Sequence, residues 1–356
     1  MERSGAGVDR SLTIAGRRVD DESDCFVIAE IGHNHQGDVE KAKQLIEAAH
    51  RCGVDAVKLQ KRDNRRLYTK TFYEQVYNSE NSFGRTYGEH REYLELGRDE
   101  YVELKAYAES LGMVFFATAF DEPSADFLAE LDVPAFKIAS GDLTNIPLIR
   151  YVASFGKPVI LSTGGGTLED VERAHDAIRE FTDELCIMQC TAAYPPAWEE
   201  LNLRVIETYR ERFPDVVIGL SAHDSGIAMA TVGYVLGARV IEKHFTLNRA
   251  MKGTDHAFSL EPQGMQKLVR DLRRTRVALG DGKKVPYPSE EEPLRKMSKC
   301  LVAARRLPAG HVLEEGDLIA KSPGGGIPPW RMGELLGRRL VRELGEDEAL
   351  DDDCVE

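Results

Sequence analysis

The sequence predicts an α/β chain built as a (β/α)8 barrel with a small second domain at its C-terminal end. Three observations carry that prediction. Eight short apolar runs rich in Val, Ile and Phe recur along the chain, each followed by a segment with helical periodicity. The eight units fill about 255 residues, the usual size of a TIM barrel. The polar residues collect where the runs end, where such barrels carry their chemistry.

In order, residues 1–24 read as an N-terminal extension with a short hairpin around 12–19. The runs are 25–32, 56–60, 114–120, 136–140, 159–163, 186–191, 217–223 and 240–246. The helical segments are 39–52, 99–111, 123–131, 147–155, 168–181, 201–213, 227–236 and 262–279. An open doubly wound sheet is the alternative, but the turn after the first run, Ile31-Gly32-His33-Asn34-His35-Gln36-Gly37, does not fit G-x-G-x-x-G. Gly164-Gly165-Gly166 is a turn into a helix whose amides could hold an anion. The connection 78–91 is long, polar and Gly-containing and reads as a functional loop. The barrel spans 25–280, a linker without periodicity 281–296, and the second domain 297–356. At about 60 residues that domain is small enough to lean on a neighbour for stability.

Composition narrows the function. A net charge of −14 argues against nucleic acid or an anionic membrane as partner, since both need basic patches. Much of that acid sits in 343–356, which reads as a solvated terminus. No run approaches the roughly 18 apolar residues of a membrane span, and no signal-peptide core follows Met1. Six scattered cysteines without a C-x-x-C pair suggest reduced thiols and a cytoplasmic location. Cys186 and Cys190, on one run, are expected to pack in the core.

The strand ends are unusually polar. They offer Glu30; Lys58 and Gln60; Thr118; Lys137, Ser140 and Asp142; Ser162 and Thr163; Thr191 and Tyr194; Ser221 and His223; and Glu242 and His244. Alternation in Val57-Lys58-Leu59-Gln60 turns Lys58 and Gln60 inward, and Glu242, His244 and Thr246 share one face. Lys137 and Ser140 have opposite parity, so one must lie where strand gives way to loop. A lysine inside a barrel needs a partner, because a desolvated charge is costly. That partner is either a neighbouring carboxylate or a bound dianion, which two lysines and the hydroxyls of Thr118, Ser140, Ser162 and Ser221 suit. His223 and His244 fall at the same height on adjacent strands, which points to a metal held by imidazoles. His33 and His35 flank Asn34 in the loop after the first run, either as hydrogen-bonded loop residues or as part of the site.

These residues sit in longer motifs: IAEIGHNHQGD, VKLQK, TYGEHR, FKIASGD, QCTAAYP, GLSAHDSG, IEKHFT and KGTDHAFSLEP. With them the chain resembles the N-acetylneuraminate (sialic acid) synthases and their nonulosonic acid relatives, from about residue 26 to 344. The last domain is similar to their antifreeze-like (SAF, β-clip) module. The resemblance implies condensation of phosphoenolpyruvate with the aldehyde of an N-acylated mannosamine-type amino sugar, with C–O cleavage and phosphate release. It implies a divalent metal, Mn2+ or Mg2+, on His223 and His244. Phosphoenolpyruvate would be held by Lys58, Thr118, Lys137, Ser140, Ser162 and Ser221. The sugar would meet Gln60, Asp142, Tyr194 and Asp255, with Glu30 placed for proton transfer or water orientation. It also implies a domain-swapped homodimer. Two positions depart from the family pattern beside the sugar: Ser322 stands where an Arg precedes Pro-Gly, and Ala192 where an Asn precedes the tyrosine. TYGEHR and KGTDH look closer to animal enzymes that take the 6-phosphate.

Three other readings are open on the residues. One is a Schiff-base pyruvate aldolase using Lys58 or Lys137. Another is a 3-deoxy-aldulosonate phosphate synthase acting on a phosphorylated aldose. The third is a sugar-binding protein without turnover.

Overall fold

The computed structural model describes residues 9–356, so part of the expected N-terminal extension, 1–8, lies outside the described residues. The chain forms two units, Met1–Gly280 and Asp281–Glu356.

The first unit opens with a hairpin of β1 (Ser11–Ile14) and β2 (Arg17–Asp20). It turns at Ala15 and Gly16, both at positive φ, and sends Leu12, Ile14 and Val19 into the core. Eight strands follow: β3 (Phe26–Gly32), β4 (Ala56–Lys61), β5 (Val114–Ala119), β6 (Phe136–Ile138), β7 (Val159–Ser162), β8 (Leu185–Cys190), β9 (Val217–Ala222) and β10 (Val240–His244). They pair in parallel and close β10 onto β3, which completes the barrel the periodicity predicts. Every residue of β3, β8, β9 and β10 is buried, as expected of strands covered on both faces.

The helices form where apolar spacing and caps agree. In Val39–Cys52, Ala42, Leu45, Ile46 and Ala49 recur on one face and are buried. Asp38 caps its start by accepting from the Lys41 amide, and Gly53 ends it in the left-handed conformation. The 78–91 stretch is only partly a loop, because Tyr87–Leu94 is a helix. Its signal was a cap rather than a periodicity: Thr86 accepts from the Glu89 amide, a Thr-x-x-Glu start with few apolar residues behind it. The triglycine turn does not offer a row of free amides. Gly164 donates to Ser140 Oγ, Gly166 to Thr163 O, and Thr167 and Asp170 cap the following helix reciprocally.

The second unit begins with an irregular stretch and a helix, Glu291–Met297, that buries no side chain and therefore shows no apolar period. β11 (Cys300–Ala303) and β12 (Leu318–Lys321) then pair antiparallel. Leu301, Leu307, Leu313, Leu318, Ile327, Leu335 and Leu340 build a separate core. The acidic C-terminal stretch belongs to that core, contrary to the reading of it as a solvated tail. Leu344, Leu350, Cys354 and Val355 are buried, and Leu340 bridges Val355. The acids between them face water while the apolar residues face in.

Among the described residues no helix is long and apolar enough to cross a membrane. All six cysteines are free and buried.

Candidate active site

The polar strand ends converge on a cavity of about 400 Å3 at the C-terminal mouth of the barrel. Every residue assigned to the metal, phosphoenolpyruvate or the sugar lines it except Asp142, whereas Thr163, Thr191, His33 and His35 stay outside its wall. The parity conflict between Lys137 and Ser140 resolves because β6 stops at Ile138. Lys137 points inward from the strand, and Ser140 starts a 3-10 turn that brings its hydroxyl back to the cavity. Asp142 ends that turn and accepts from Asn145 Nδ2 at 3.1 Å, outside the cavity wall.

Two lysines and two glutamates form the floor. Lys58 Nζ lies 2.6 Å from Glu30 Oε2, donates to Thr118 Oγ1 at 2.7 Å, and is 3.8 Å from Glu242 Oε1. Lys137 Nζ donates to Ser162 Oγ at 2.6 Å and is 3.9 Å from the same Glu242 oxygen. Ser221 Oγ also donates to Glu242 Oε1, at 3.2 Å. The neighbouring carboxylate, one of the two partners expected from sequence, is present, and hydroxyls that would suit a dianion surround the same lysines. Burial drives the Glu30 carboxyl up to about 7, against the pull of Lys58 and with the push of Glu242. Burial also raises Glu242, but Lys137 and Lys58 outweigh it and hold that carboxyl below its ordinary value. Burial lowers Lys137, opposed by Glu242.

Backbone geometry sets these side chains. A bulge between Glu30 and Gly32 interrupts the β3–β4 register, with Gly32 at φ +54°. A Cβ there would stand 3.2 Å from both Glu30 Oε1 and Gln60 Nε2, so glycine leaves room for the 2.7 Å bond from Gln60 to Glu30. Gly164 allows a similar approach: its Cβ would meet Ser140 Oγ and Ala192 at 2.9 Å.

His223 and His244 face one another with ring centroids 5.4 Å apart. His223 Nδ1 lies 2.9 Å from Thr191 O, which can only accept, so Nδ1 is a donor there and Nε2 is the nitrogen left for a ligand. His244 Nδ1 is buried without a hydrogen-bond partner, 3.6 Å from Asp255 Oδ2. Burial lowers the His244 pKa, against Asp255 and Glu242, which favours the neutral ring. Among the described residues no three His, Cys, Asp or Glu side chains are grouped so as to hold a metal ion together. Two imidazoles on adjacent strands fit a divalent metal that takes its remaining coordination positions from water or substrate. Tyr194 packs tilted against His223 at 4.2 Å and Phe258 packs against His244 at 4.9 Å.

The structure adds residues that sequence reasoning missed. Arg62 and Arg91 line the cavity beyond Gln60, and His33 lies between them. Arg62 had a signal, since it continues the inward parity of Lys58 and Gln60. Arg91 had none, because a helix face has no direction until the helix is placed. Cys190 also differs from expectation. Cys186 is core, but Cys190, four residues nearer the strand end, reaches the cavity 3.4 Å from Ser140 Oγ. Asn34 and His35 hold the loop: Asn34 Nδ2 donates to Phe245 O at 2.8 Å, and His35 Nδ1 accepts from the Gly37 amide at 3.0 Å.

Residues 45–284 match the NeuB family, and residues 298–356 match the SAF domain. The chain belongs to the NeuB family. It is 40% identical to the N-acetylneuraminate-9-phosphate synthase of Mus musculus, over 96% of this chain and 95% of that one. It is 38% identical to an N,N'-diacetyllegionaminic acid synthase of Legionella pneumophila, over 90% and 91%. A crystal structure of an N-acetylneuraminic acid synthetase from Leptospira borgpetersenii in complex with citrate superposes with a TM-score of 0.69 and 32% identity, covering 82% of this chain and 97% of that one. As a NeuB-family member the chain is an enzyme, a sialic or nonulosonic acid synthase that forms a carbon–carbon bond between phosphoenolpyruvate and a sugar. Of the two departures from the family pattern, Ala192 lines the cavity and Ser322 belongs to the second unit.

Proposed function

We propose that this enzyme condenses phosphoenolpyruvate with the open-chain aldehyde of an N-acylmannosamine-type sugar, with water, to a nonulosonic acid and phosphate. The observation that carries this reading is the facing pair His223 and His244 above the Lys58–Lys137 floor.

Phosphoenolpyruvate lies on the floor. Lys58 and Thr118 on one side, and Lys137, Ser140, Ser162 and Ser221 on the other, exchange their internal bonds for its carboxylate and phosphate oxygens. Gln60, Tyr194 and Asp255 line the wall that holds the sugar. Asp142, outside that wall, is left out of the set. His223 and His244 hold a divalent metal, Mn2+ or Mg2+, which when bound supplies Lewis-acid polarisation of the aldehyde. C3 of phosphoenolpyruvate bonds to the aldehyde carbon, and the aldehyde oxygen takes a proton. Water adds at C2 and the C2–O bond to phosphate breaks. Glu30, with a pKa raised to about 7 and anchored by Lys58 and Gln60, is the group placed to move a proton or orient that water.

The test is phosphate release from phosphoenolpyruvate with N-acylhexosamines, with and without EDTA. The reading expects acceptor-dependent release that EDTA abolishes and Mn2+ or Mg2+ restores. Activity that survived complete metal removal would refute the role given to the histidines. Borohydride trapping of a pyruvate adduct on Lys58 or Lys137 would refute the condensation itself.

A further inference from the structure

Lys243 and Asp224 form a buried ion pair directly behind the facing histidines. Asp224 follows His223 in the chain, and Lys243 precedes His244. The Lys243 and Asp224 side chains are 1% and 2% exposed. Lys243 Nζ donates to Asp224 Oδ1 at 2.9 Å and to Asp224 O at 2.6 Å. One ammonium thus holds both the side chain and the backbone of the residue next to His223. Strand alternation puts this contact outside the cavity: Glu242 and His244 line it, so Lys243 between them faces the helix layer. Its register partners are Ala222 on β9 and Ala29 on β3, which leave room for a long side chain. The β9–β10 register runs only to Ala222 and Lys243, so the two histidines stand one residue beyond its last pair. Stability does not account for the ion pair. Apolar side chains of similar volume in place of a buried pair are often neutral or stabilising. Asp224 Oδ2 is buried without a hydrogen-bond partner among the described residues, so the carboxylate is incompletely satisfied even when paired. What apolar contacts would not supply is a directed, two-point bond that sets one distance between the strand ends.

We infer that Lys243 and Asp224 are positioning residues that fix the two histidine rings relative to each other. The inference rests on the proposed function in one respect, that His223 and His244 are the groups whose placement matters. The two rings are held unequally. His223 is anchored by the 2.9 Å contact of Nδ1 with Thr191 O, whereas His244 Nδ1 has no hydrogen-bond partner. The ion pair links the strand end of the anchored ring to that of the unanchored one. Each nitrogen ligand of a metal such as zinc must come within about 2.0–2.1 Å of it, so slippage between the two strand ends becomes a loss of affinity. Lys243 and Asp224 touch neither the metal position nor a substrate, and they act only through the residues beside them.

The experiment uses the full-length chain with nitrogen-15-labelled histidine and three variants. Lys243→Met removes the donor and keeps the stem. Asp224→Asn keeps an acceptor for Lys243. The double variant Lys243→Met/Asp224→Leu removes both charges, so that neither is left buried alone. In metal-free protein, the wild-type His223 ring should show the one tautomer that its Nδ1 bond dictates. The double variant should show shifted and broadened ring signals for His223 and His244, with a melting temperature close to wild type. Mn2+, followed by electron paramagnetic resonance of the free ion, should bind the double variant and Lys243→Met at least about 10-fold more weakly. Asp224→Asn should lose less, and the phosphoenolpyruvate KM should not move in any of them. Wild-type ring signals in a folded double variant overturn the inference. A double variant that fails to fold also overturns it, since the pair is then structural. Altered ring signals, with no Mn2+ binding by the wild-type chain, would uphold the positioning role and refute the metal role given to the histidines. Mn2+ binding that His244→Ala abolishes and the double variant keeps in full would do the reverse.

Discussion

Two buried carboxylates, one in each unit, are handled in opposite ways. Asp317, in the second unit, has its acceptors filled. Oδ1 accepts from Arg305 at 2.6 Å, and Oδ2 accepts from the Glu314 amide at 2.9 Å and lies 2.6 Å from His311 Nε2. Glu242, on the barrel floor, concentrates its contacts on Oε1 while Oε2 is buried without a hydrogen-bond partner. Near it His244 Nδ1 is also unpartnered. A saturated carboxylate fixes a fold, whereas an unsaturated cluster of buried charges is a binding site in waiting, because a ligand supplies what the protein withholds. Substitutions on the floor should therefore cost activity and little stability. Substitution of Asp317 should do the opposite.

The largest effect is expected from His244→Ala. Turnover should fall by at least about 10^3-fold, while the circular dichroism melt stays close to wild type. A variant with wild-type phosphate release would exclude the ligand role. Glu30→Gln should lower kcat by about 10^2- to 10^4-fold, the usual worth of a positioned proton donor or acceptor. Its melting temperature should change little, because the amide keeps the shape, the Glu30 carboxyl already titrates near 7, and Lys58 keeps Glu242 at 3.8 Å. Ser162→Ala removes one hydroxyl from the floor and should raise the phosphoenolpyruvate KM about 10-fold, near the worth of one hydrogen bond to a charged group. A Ser162→Ala protein that lost stability but kept its KM would break the contrast.

Asp317→Ala should leave kcat per folded molecule intact and cost about 1–3 kcal/mol of unfolding free energy, read from urea denaturation. Its pH dependence follows from its bonds. Burial pushes the Asp317 carboxyl up, but the His311 and Glu314 bonds outweigh that and hold it below its ordinary value. A carboxylate lowered on folding contributes stability above its unfolded pKa, about 3.9. That contribution disappears as pH falls through the folded value. The gap between wild type and Asp317→Asn should thus be full at pH 6 and close below about pH 4. A gap that widened in acid would mean that the aspartate is not stabilised as an anion.

Much of this was legible in the sequence, for a reason that also marks where legibility ends. Strand alternation is local. Lys58, Gln60, Glu242 and His244 announced their inward face from two-residue parity, and the closed eight-strand barrel follows from the repeated units. The family motifs then supplied the substrate class. Composition was a poorer guide. It made the acidic C-terminus look solvated, although Leu344, Leu350, Cys354 and Val355 in it complete a core.

Only the tertiary structure decided what depended on distance between elements. It turned Ser140 back to the cavity through a 3-10 turn and left Asp142 outside. It placed Cys190 at the site and Cys186 in the core, although the two share a strand face. It brought Arg91, from a helix capped by Thr86, beside Arg62 from the end of β4, with His33 between them. By itself the sequence determined the barrel, the floor and the facing histidines, because one strand's periodicity fixes where its side chains point. Which side chains from different elements meet is settled by contacts across the fold, so Arg91 could be placed at the cavity only once the elements were in place.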